Sequence, residues 1–433
     1  MISRSELKKV TGDSVAVTDT MLNKINDWCQ MLAGEAEWTD DYVKSLRLER
    51  GICREFANVV VNEMQSSVSV EKLDKIYKAA ITNLNENLQQ GLGLGSMIIK
   101  PLGGSKVEYV TADRFVPLAF DDEDRLVKVC FIDRKQIEED DIYYRFETHS
   151  LENGVLTITH KAFHSTSQRT IGVPCALDSV AEWGAYPEEV SFAVDRPIYG
   201  YYKNPLPNDI DGSACGVSIF ESAKDSICKA DKQYGRLEWE FESGERAIHA
   251  DAMALERAET GKFRLPKNNK RLYRGLNLDV GDGKELFDVY SPEFRDESLR
   301  KGLEEYKRAI EFNVGLAYGD LSTPQMVEKT AQEIITSKQR KYSTVTAIQS
   351  KLQTCLEGLV FGLAFMNRMV NSGYEFTCTF EDSILTPDKE RRELDRQEVA
   401  MGAMMLWEYR AKWYGEDEET AKKMVEADTE VIE

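Results

Sequence analysis

Hydrophobic positions three and four apart dominate about the first 90 residues, the spacing of helices that bury one face. The pattern holds over 20–33 (TMLNKINDWCQMLA) and 40–65, and through Leu73, Ile76, Ile81 and Leu84 in 70–90. Near Met97 the period shortens. SMIIKPLGGSKVEYVTADRFVPLAF carries Gly-Gly at 103–104 between β-rich flanks, and RLVKVCFI (125–132) continues in the same style. IYYRFETHS and GVLTITHKAFH are joined across Glu152-Asn153-Gly154, a hairpin signal. Residues 97–200 therefore read as a sheet-containing subdomain. A loop rich in Pro, Gly, Asn and Asp is expected over 197–216.

The cleanest periodicity comes next. Phe220, Ala223, Ile227, Ala230, Tyr234, Leu237 and Phe241 alternate steps of three and four. That spacing suits a helix packed along another helix, and an amphipathic helix on a core would show it too. A second helix is expected after Pro292 through Leu299, Leu303, Tyr306 and Ile310. VGLAYGDLSTPQ (314–325) interrupts it, and a long helical pattern resumes over 328–370. Long patterns of this kind suggest a bundle, a coiled coil or a multi-subunit assembly. GYEFTCTFEDS (373–383) reads as β, and the tract from 388 reads as helical.

Composition narrows the class. The chain has 433 residues, 55 basic and 75 acidic, for a formal charge of −20. That length predicts about two to four structural units. Hydrophobic residues at 42% and charged residues at 30% fit an ordinary globular protein and exclude a mainly disordered one. The opening MISRSELKKVTGDS has no apolar core, so no secretory leader is expected. The most apolar stretch, Cys355 to Val370, contains Glu357 and Arg368 and is too short to span a bilayer. The acidic balance argues against a general nucleic-acid coat. One segment reverses it: residues 257–284 hold eight basic and three acidic side chains, a net +5. Such an island suits nucleic acid or an acidic partner, and equally a solvated loop beside acidic neighbours.

Candidate chemistry is sparse. There is no GxxxxGK[ST], GxSxG, HExxH or EF-hand loop. GLGLGS (91–96) lacks the third glycine of GxGxxG and precedes a strand-like run, so it reads as a flexible turn. His160 and His164 form HxxxH in a β-like run, where residues four apart lie roughly 13 Å from each other, too far to share one ion. The eight cysteines are scattered without CxxC and read as buried thiols in a reducing compartment. Glu139-Asp140-Asp141 reads as a solvated acidic face. No catalytic centre, metal site or cofactor is nominated, and the chain is not expected to be an enzyme.

The order of segments resembles the portal proteins of tailed bacteriophages, in particular the siphophage type. GLGLGSMIIKPLGGSKVEYVTADRFVPLAFDDEDRL is similar to the family's glycine-rich turn and wing β-region. RPIYGYYKNPLPNDIDGSACGVSIFESAKDSICKADKQYGRLEWEFE resembles the approach to the stem and its first helix. DVYSPEFRDESLRKGLEEYKRAIEFNVGLAYGDLS resembles the second stem helix and tunnel loop. EKTAQEIITSKQRKYSTVTAIQSKL is similar to the helix after that loop, and EFTCTFEDSILTPDKERRELDRQEVAMGAMM to the lead into the crown. These patterns run in order over roughly residues 90–420. The 314–327 loop is short for the family, and the first 90 or so residues match no family pattern.

The resemblance implies an α+β portal fold with a wing (1–216, β-rich at 97–200), stem helices at 217–243 and 293–313, and a clip at 244–292. It further implies a tunnel loop at 314–327, a long wing helix and β segment at 328–385, and a crown at 386–433. The family forms rings, usually of twelve subunits, at one capsid vertex. Its partners are terminase, major capsid and scaffolding proteins, head-completion or adaptor proteins, and double-stranded DNA passing without sequence specificity; no membrane is involved. The implied location is the virion, and the host cytoplasm during assembly. Clip residues Lys262, Arg264, Lys267, Lys270, Arg271 and Arg274 would meet partners. Gly315, Tyr318, Gly319, Asp320, Ser322 and Thr323 would face the DNA, with Asp320 repelling its phosphates. Another head structural protein without the channel, or a hydrolase using one of the acidic pairs, remain alternatives. The helix–basic segment–helix–loop–long helix order is what a portal needs and a minor capsid protein does not.

Overall fold

The computed structural model describes residues 3–12, 15–138, 141–167, 170–244, 247–251, 273–276, 287–323, 331–381, 388–414 and 416–430. The helical start is realised in five pieces: α1 (Arg4–Thr11), α2 (Asp19–Ala33), α3 (Leu48–Asn62), α4 (Glu71–Ala80) and α5 (Leu84–Leu94). Thr18 caps α2 by accepting from the Met21 amide, and its own N–H and hydroxyl both donate to Asp211 at 3.1 Å. The N-terminal helices are thereby tied to the 204–216 loop.

The helix expected over 40–65 is shorter than its periodicity suggests. Residues 34–47 form an irregular strap instead, and Arg47, at φ +57°, breaks the helical path just before α3. After α3 the chain turns into strand β1 (Met64–Val68), and the 70–90 pattern divides at 81–83 into α4 and α5.

GLGLGS is not the flexible turn expected. Gly91 to Leu94 are the buried last turn of α5, and Gly95 leaves it at φ +85°. A Cβ on Gly95 would lie 2.3 Å from the Gly216 carbonyl oxygen, so the glycine permits a backbone crossing. These glycines sit at the negative, C-terminal end of a helix, the wrong end for a phosphate.

The β-rich region divides into two sheets. Strands β2 (Ser96–Gly103) and β3 (Lys106–Thr111) make the expected hairpin. Strands β4 (Phe115–Phe120), β5 (Leu126–Glu138), β6 (Asp141–Glu152), β7 (Val155–Ser165), β8 (Val173–Cys175) and β9 (Glu189–Ala193) make the larger sheet. β8 and β9 both pair with β7. The β6–β7 turn is Asn153-Gly154 with both residues at positive φ, the geometry that matches strand twist. Part of the expected 197–216 loop is a strand: β10 (Gly200–Lys203) adds antiparallel to β2. Its Pro/Gly-rich surroundings hide a four-residue pairing that depends on a partner 100 residues away.

Helix α6 (Lys224–Ser243) and α7 (Asp296–Val314) are antiparallel neighbours, separated in sequence by strands β11 (Ala247–Asp251), β12 (Tyr273–Leu276) and β13 (Phe287–Tyr290). These strands form their own sheet in the order β12-β11-β13. The expected 217–243 helix starts late, after a 3-10 turn at Glu221–Ala223. The Ile219 amide is spent on Leu92 O (3.0 Å), and Asn204 Nδ2 donates to Leu92 O (2.7 Å) and Val217 O (2.8 Å). Residues 217–220 are thus fastened to the end of α5.

Helix α8 (Ala331–Met366) runs through the main core, burying Val345, Ile348, Leu352, Cys355, Leu356, Leu359 and Leu363. Along β10 and the residues before it the contact is backbone on backbone. A Cβ on Gly362 would lie 2.2 Å from Ile198 O, and one on Gly358 2.8 Å from Tyr199 O. Strand β14 (Phe376–Phe380), where β was expected, pairs with β1. Helices α9 (Asp388–Met401), α10 (Leu406–Tyr414) and α11 (Glu418–Glu430) follow. Arg392 and Arg396 donate to the Tyr409 hydroxyl, and Trp413 Nε1 donates to Asp395 at 2.6 Å. The architecture is α+β, and no described helix is long and apolar enough to cross a membrane.

Candidate interaction and channel surface

The seam on α6 is used as its spacing suggests for most of its length. Phe220, Ala223, Ile227, Ala230 and Leu237 are buried, whereas Phe241 is 38% exposed. Polar clamps fix the register against α7. Ser222 Oγ donates to Asn313 O (3.0 Å), Gln233 Nε2 to Leu299 O (3.1 Å), and Arg295 to Glu240 through its backbone N–H and guanidinium (2.7–3.2 Å). Hydrogen bonds from Arg295 hold the Glu240 carboxyl down at about 2. Gly302 leaves room for Gln233, whose amide nitrogen is 3.1 Å from where its Cβ would be. Ile227→Asp would bury a charge without a partner in this seam. A loss of more than about 3 kcal/mol is expected in urea unfolding, and an unchanged midpoint would refute the seam.

Large aromatics are left open on the same helix pair. Trp239 is 60% exposed and Phe312 58% exposed, with Phe294 and Phe241 beside each other at the far end. Tyr42 of the strap stands open next to α6.

The loop after α7 is built inward. Gly315 ends α7 at φ +84°, where a Cβ would meet Thr344 Oγ1 at 2.3 Å. Glu311, fully buried in the last turn of α7, gathers the following residues. Its Oε1 accepts from the amides of Gly319 (3.0 Å), Leu321 (2.7 Å) and Ser322 (2.7 Å), and its Oε2 from the Ser322 hydroxyl (2.9 Å). Thr323 is exposed, and its amide donates to Glu304 at 2.6 Å. The Asp320 carboxylate accepts from the Ala317 amide and pairs with Lys341 of α8 at 3.2 Å, while Lys341 also reaches Glu55 of α3 at 2.7 Å. Burial raises the Asp320 carboxyl against the pull of Lys341.

Of the loop residues expected to face DNA, Ser322 is buried and the Asp320 side chain is 19% exposed and ion-paired. Their charge and hydroxyl serve the loop's own scaffold. Substituting lysine at either position would disturb that scaffold before it altered any channel wall. Tyr318 and Thr323 are open; the Tyr318 ring lies 4.9 Å from the Arg340 guanidinium, and Arg340 also covers Phe312 at 5.0 Å and donates to Leu316 O. Neither Glu311 nor Arg340 was nominated by sequence. The available signal was an acidic residue in a helix's last turn, where the macrodipole disfavours it unless donors beyond the helix take it up.

Of the basic island, Lys262, Arg264, Lys267, Lys270 and Arg271 lie outside the described residues. Arg274 is on β12, opposite His249 of β11. His160 and His164 each have separate partners: His160 meets Arg145 and Tyr186, and His164 meets Asp141 and Tyr143. Glu139 and Asp140 are outside the described residues.

No protein-family model matches the chain, and no curated protein matches it.

Proposed function

We propose that the chain is a subunit of a phage portal, a ring that forms the DNA channel at one capsid vertex. There it would dock the packaging terminase, connect head to tail and let the genome leave. The observation that carries this reading is the antiparallel α6–α7 pair, which brackets the basic segment and leads through a short clasped loop into the 36-residue α8. The open aromatics on that pair support it, since a neighbouring subunit would cover surface that water otherwise meets. A ring of identical subunits needs one heterologous contact that closes. The charge of −20 supports it too, because a channel that neutralised many phosphates would hold DNA rather than let it slide. In this role the protein performs no chemistry and needs no cofactor.

Electron microscopy of the purified chain tests the reading. A turbine-shaped ring with a central hole is expected. Particles without a hole would overturn it in favour of another head structural protein. Replacing Lys267, Lys270, Arg271 and Arg274 with alanine should then spare the ring, weaken terminase binding and make the remaining binding less sensitive to salt. Rings that fall apart while packaging proceeds would assign those side chains to the subunit interface instead.

A further inference from the structure

The strap at 34–47 lies over α6 with few anchors. Trp38 Nε1 and the Leu46 amide donate to the two oxygens of Asp231, each at 2.9 Å, and Lys224 reaches Glu37 at 3.5 Å. At Gly235 the strap comes so close that a Cβ would meet Tyr42 O at 2.8 Å. Half of its fourteen residues are open to solvent, and only Ala36 is buried. Where it enters α3, Glu49 is 1% exposed; one of its carboxylate oxygens accepts from Ser45 at 3.4 Å, and the other is buried without a partner.

The geometry points to a proton-operated fastening: the strap lies closed on α6 while Glu49 carries a proton, and ionisation of Glu49 loosens it. This inference rests on the strap alone and stands whether or not the chain is a portal. A neutral carboxyl tolerates the dry site, whereas a carboxylate there lacks both water and a sufficient set of donors. The groups around it compensate only in part: its own backbone amide and the long Ser45 hydrogen bond favour the anion, against burial. Asp231 of α6 adds a like charge, and Arg47 of the strap gives only a weak opposing pull. The Arg47 and Arg50 guanidiniums both donate to Leu32 O at the end of α2. Cys53, one turn along α3, is a buried thiol. From α8, Lys341 is engaged with Glu55 and Asp320, and from α5, Asn85 is engaged with Asn58. The first turn of α3 favours the anion, but burial outweighs it and raises the Glu49 carboxyl to about 7.

The sign follows from linkage. A carboxyl raised in the closed state keeps its proton there after the open state has lost it, so closure weakens as pH rises from about 4.5 to about 7. Hydrogen exchange on the full chain reads this directly, with intrinsic rates divided out. Protection of the 38–47 amides should fall on the order of 50-fold from pH 5 to pH 8, while β5 and β6 keep theirs. Glu49→Gln, which stays neutral, should hold the strap closed across that range. As a measurement that needs no variant, the carbon-13 resonance of the Glu49 carboxyl should titrate near pH 7. A strap equally protected at pH 5 and pH 8, a parallel fall in wild type and Glu49→Gln, or a Glu49 titration near 4.5 would each overturn the proposal.

Discussion

Glu311→Ala is expected to release the 315–323 loop and destabilise the protein by about 3–5 kcal/mol. The carboxylate is fully buried and receives three backbone amides and one hydroxyl. Truncation leaves those donors facing a void that no other acceptor fills, and each unpaired buried donor costs about 1–3 kcal/mol. Glu311→Gln keeps one acceptor oxygen and should fall between the two. Urea unfolding gives the energy, and exchange of the Gly319, Leu321 and Ser322 amides gives the location. Normal protection of those amides in the alanine variant would mean the loop is held by Lys341 and packing alone.

The second large effect lies between the two sheets. Arg145, Glu147 and His149 alternate along β6 and so share one face, opposite Asp133 and Phe131 of β5 and beside His160 of β7. Lys100 of β2 reaches into this face. Its amine lies 3.1 Å from both Glu147 and Glu108, and 4.5 Å from the centre of the Phe131 ring. Arg145 adds a contact to Glu147 at 3.4 Å and covers Tyr186 at 4.2 Å. Glu147→Ala would remove the anion that Lys100, Arg145 and His149 share; Lys100 keeps Glu108 and Arg145 keeps Asp133, so the expected cost is that of lost charged hydrogen bonds, about 1.5–3 kcal/mol. Glu147→Gln should recover part of the loss by keeping the acceptor from His149.

This network also sets a pH dependence. Burial alone would raise the Glu147 carboxyl, but the His149 hydrogen bond and the Lys100 and Arg145 charges hold it far below the usual carboxylate range. Its stabilisation is therefore complete above about pH 4.5 and is lost as pH falls below that. Burial lowers His160 to about 4, so its neutral form stabilises the fold above pH 6.5 and that contribution fades from 6.5 towards 4. Acid unfolding of wild type should be steepest below pH 4.5, and Glu147→Ala should flatten it. An equally steep acid limb in the variant would move the acid sensitivity elsewhere.

What the sequence made legible was what local pattern controls. The Asn153-Gly154 turn fixed the β6–β7 hairpin by its own backbone preferences, and the apolar period of α8 survived because one face of that helix is buried from Val345 to Ala364. What stayed hidden depends on distant partners. Residues 40–47 fall in the stretch with helical spacing, but the strap they belong to hangs from Asp231, about 190 residues away. Residues 217–220 continue the α6 seam but are fastened to Leu92 instead. In the loop after α7, Gly315 and Gly319 mark a bend that any reader of turns would find. That Asp320 and Ser322 point into the scaffold could not be read without Glu311 and Lys341.

The glycine notch on α8 has a mechanical consequence. Side-chain packing can absorb a small displacement by changing rotamers, but at Gly358 and Gly362 the helix backbone rests on the carbonyls of Tyr199 and Ile198 with nothing soft between. Near its other end the same helix carries Arg340 and Lys341, which grip the loop after α7. From 340 to 362 an α-helix covers about 33 Å. Loop and sheet are thus joined by a stiff rod with a hard bearing at one end. A push on the loop is expected to reach the residues just before β10 as a tilt of the rod.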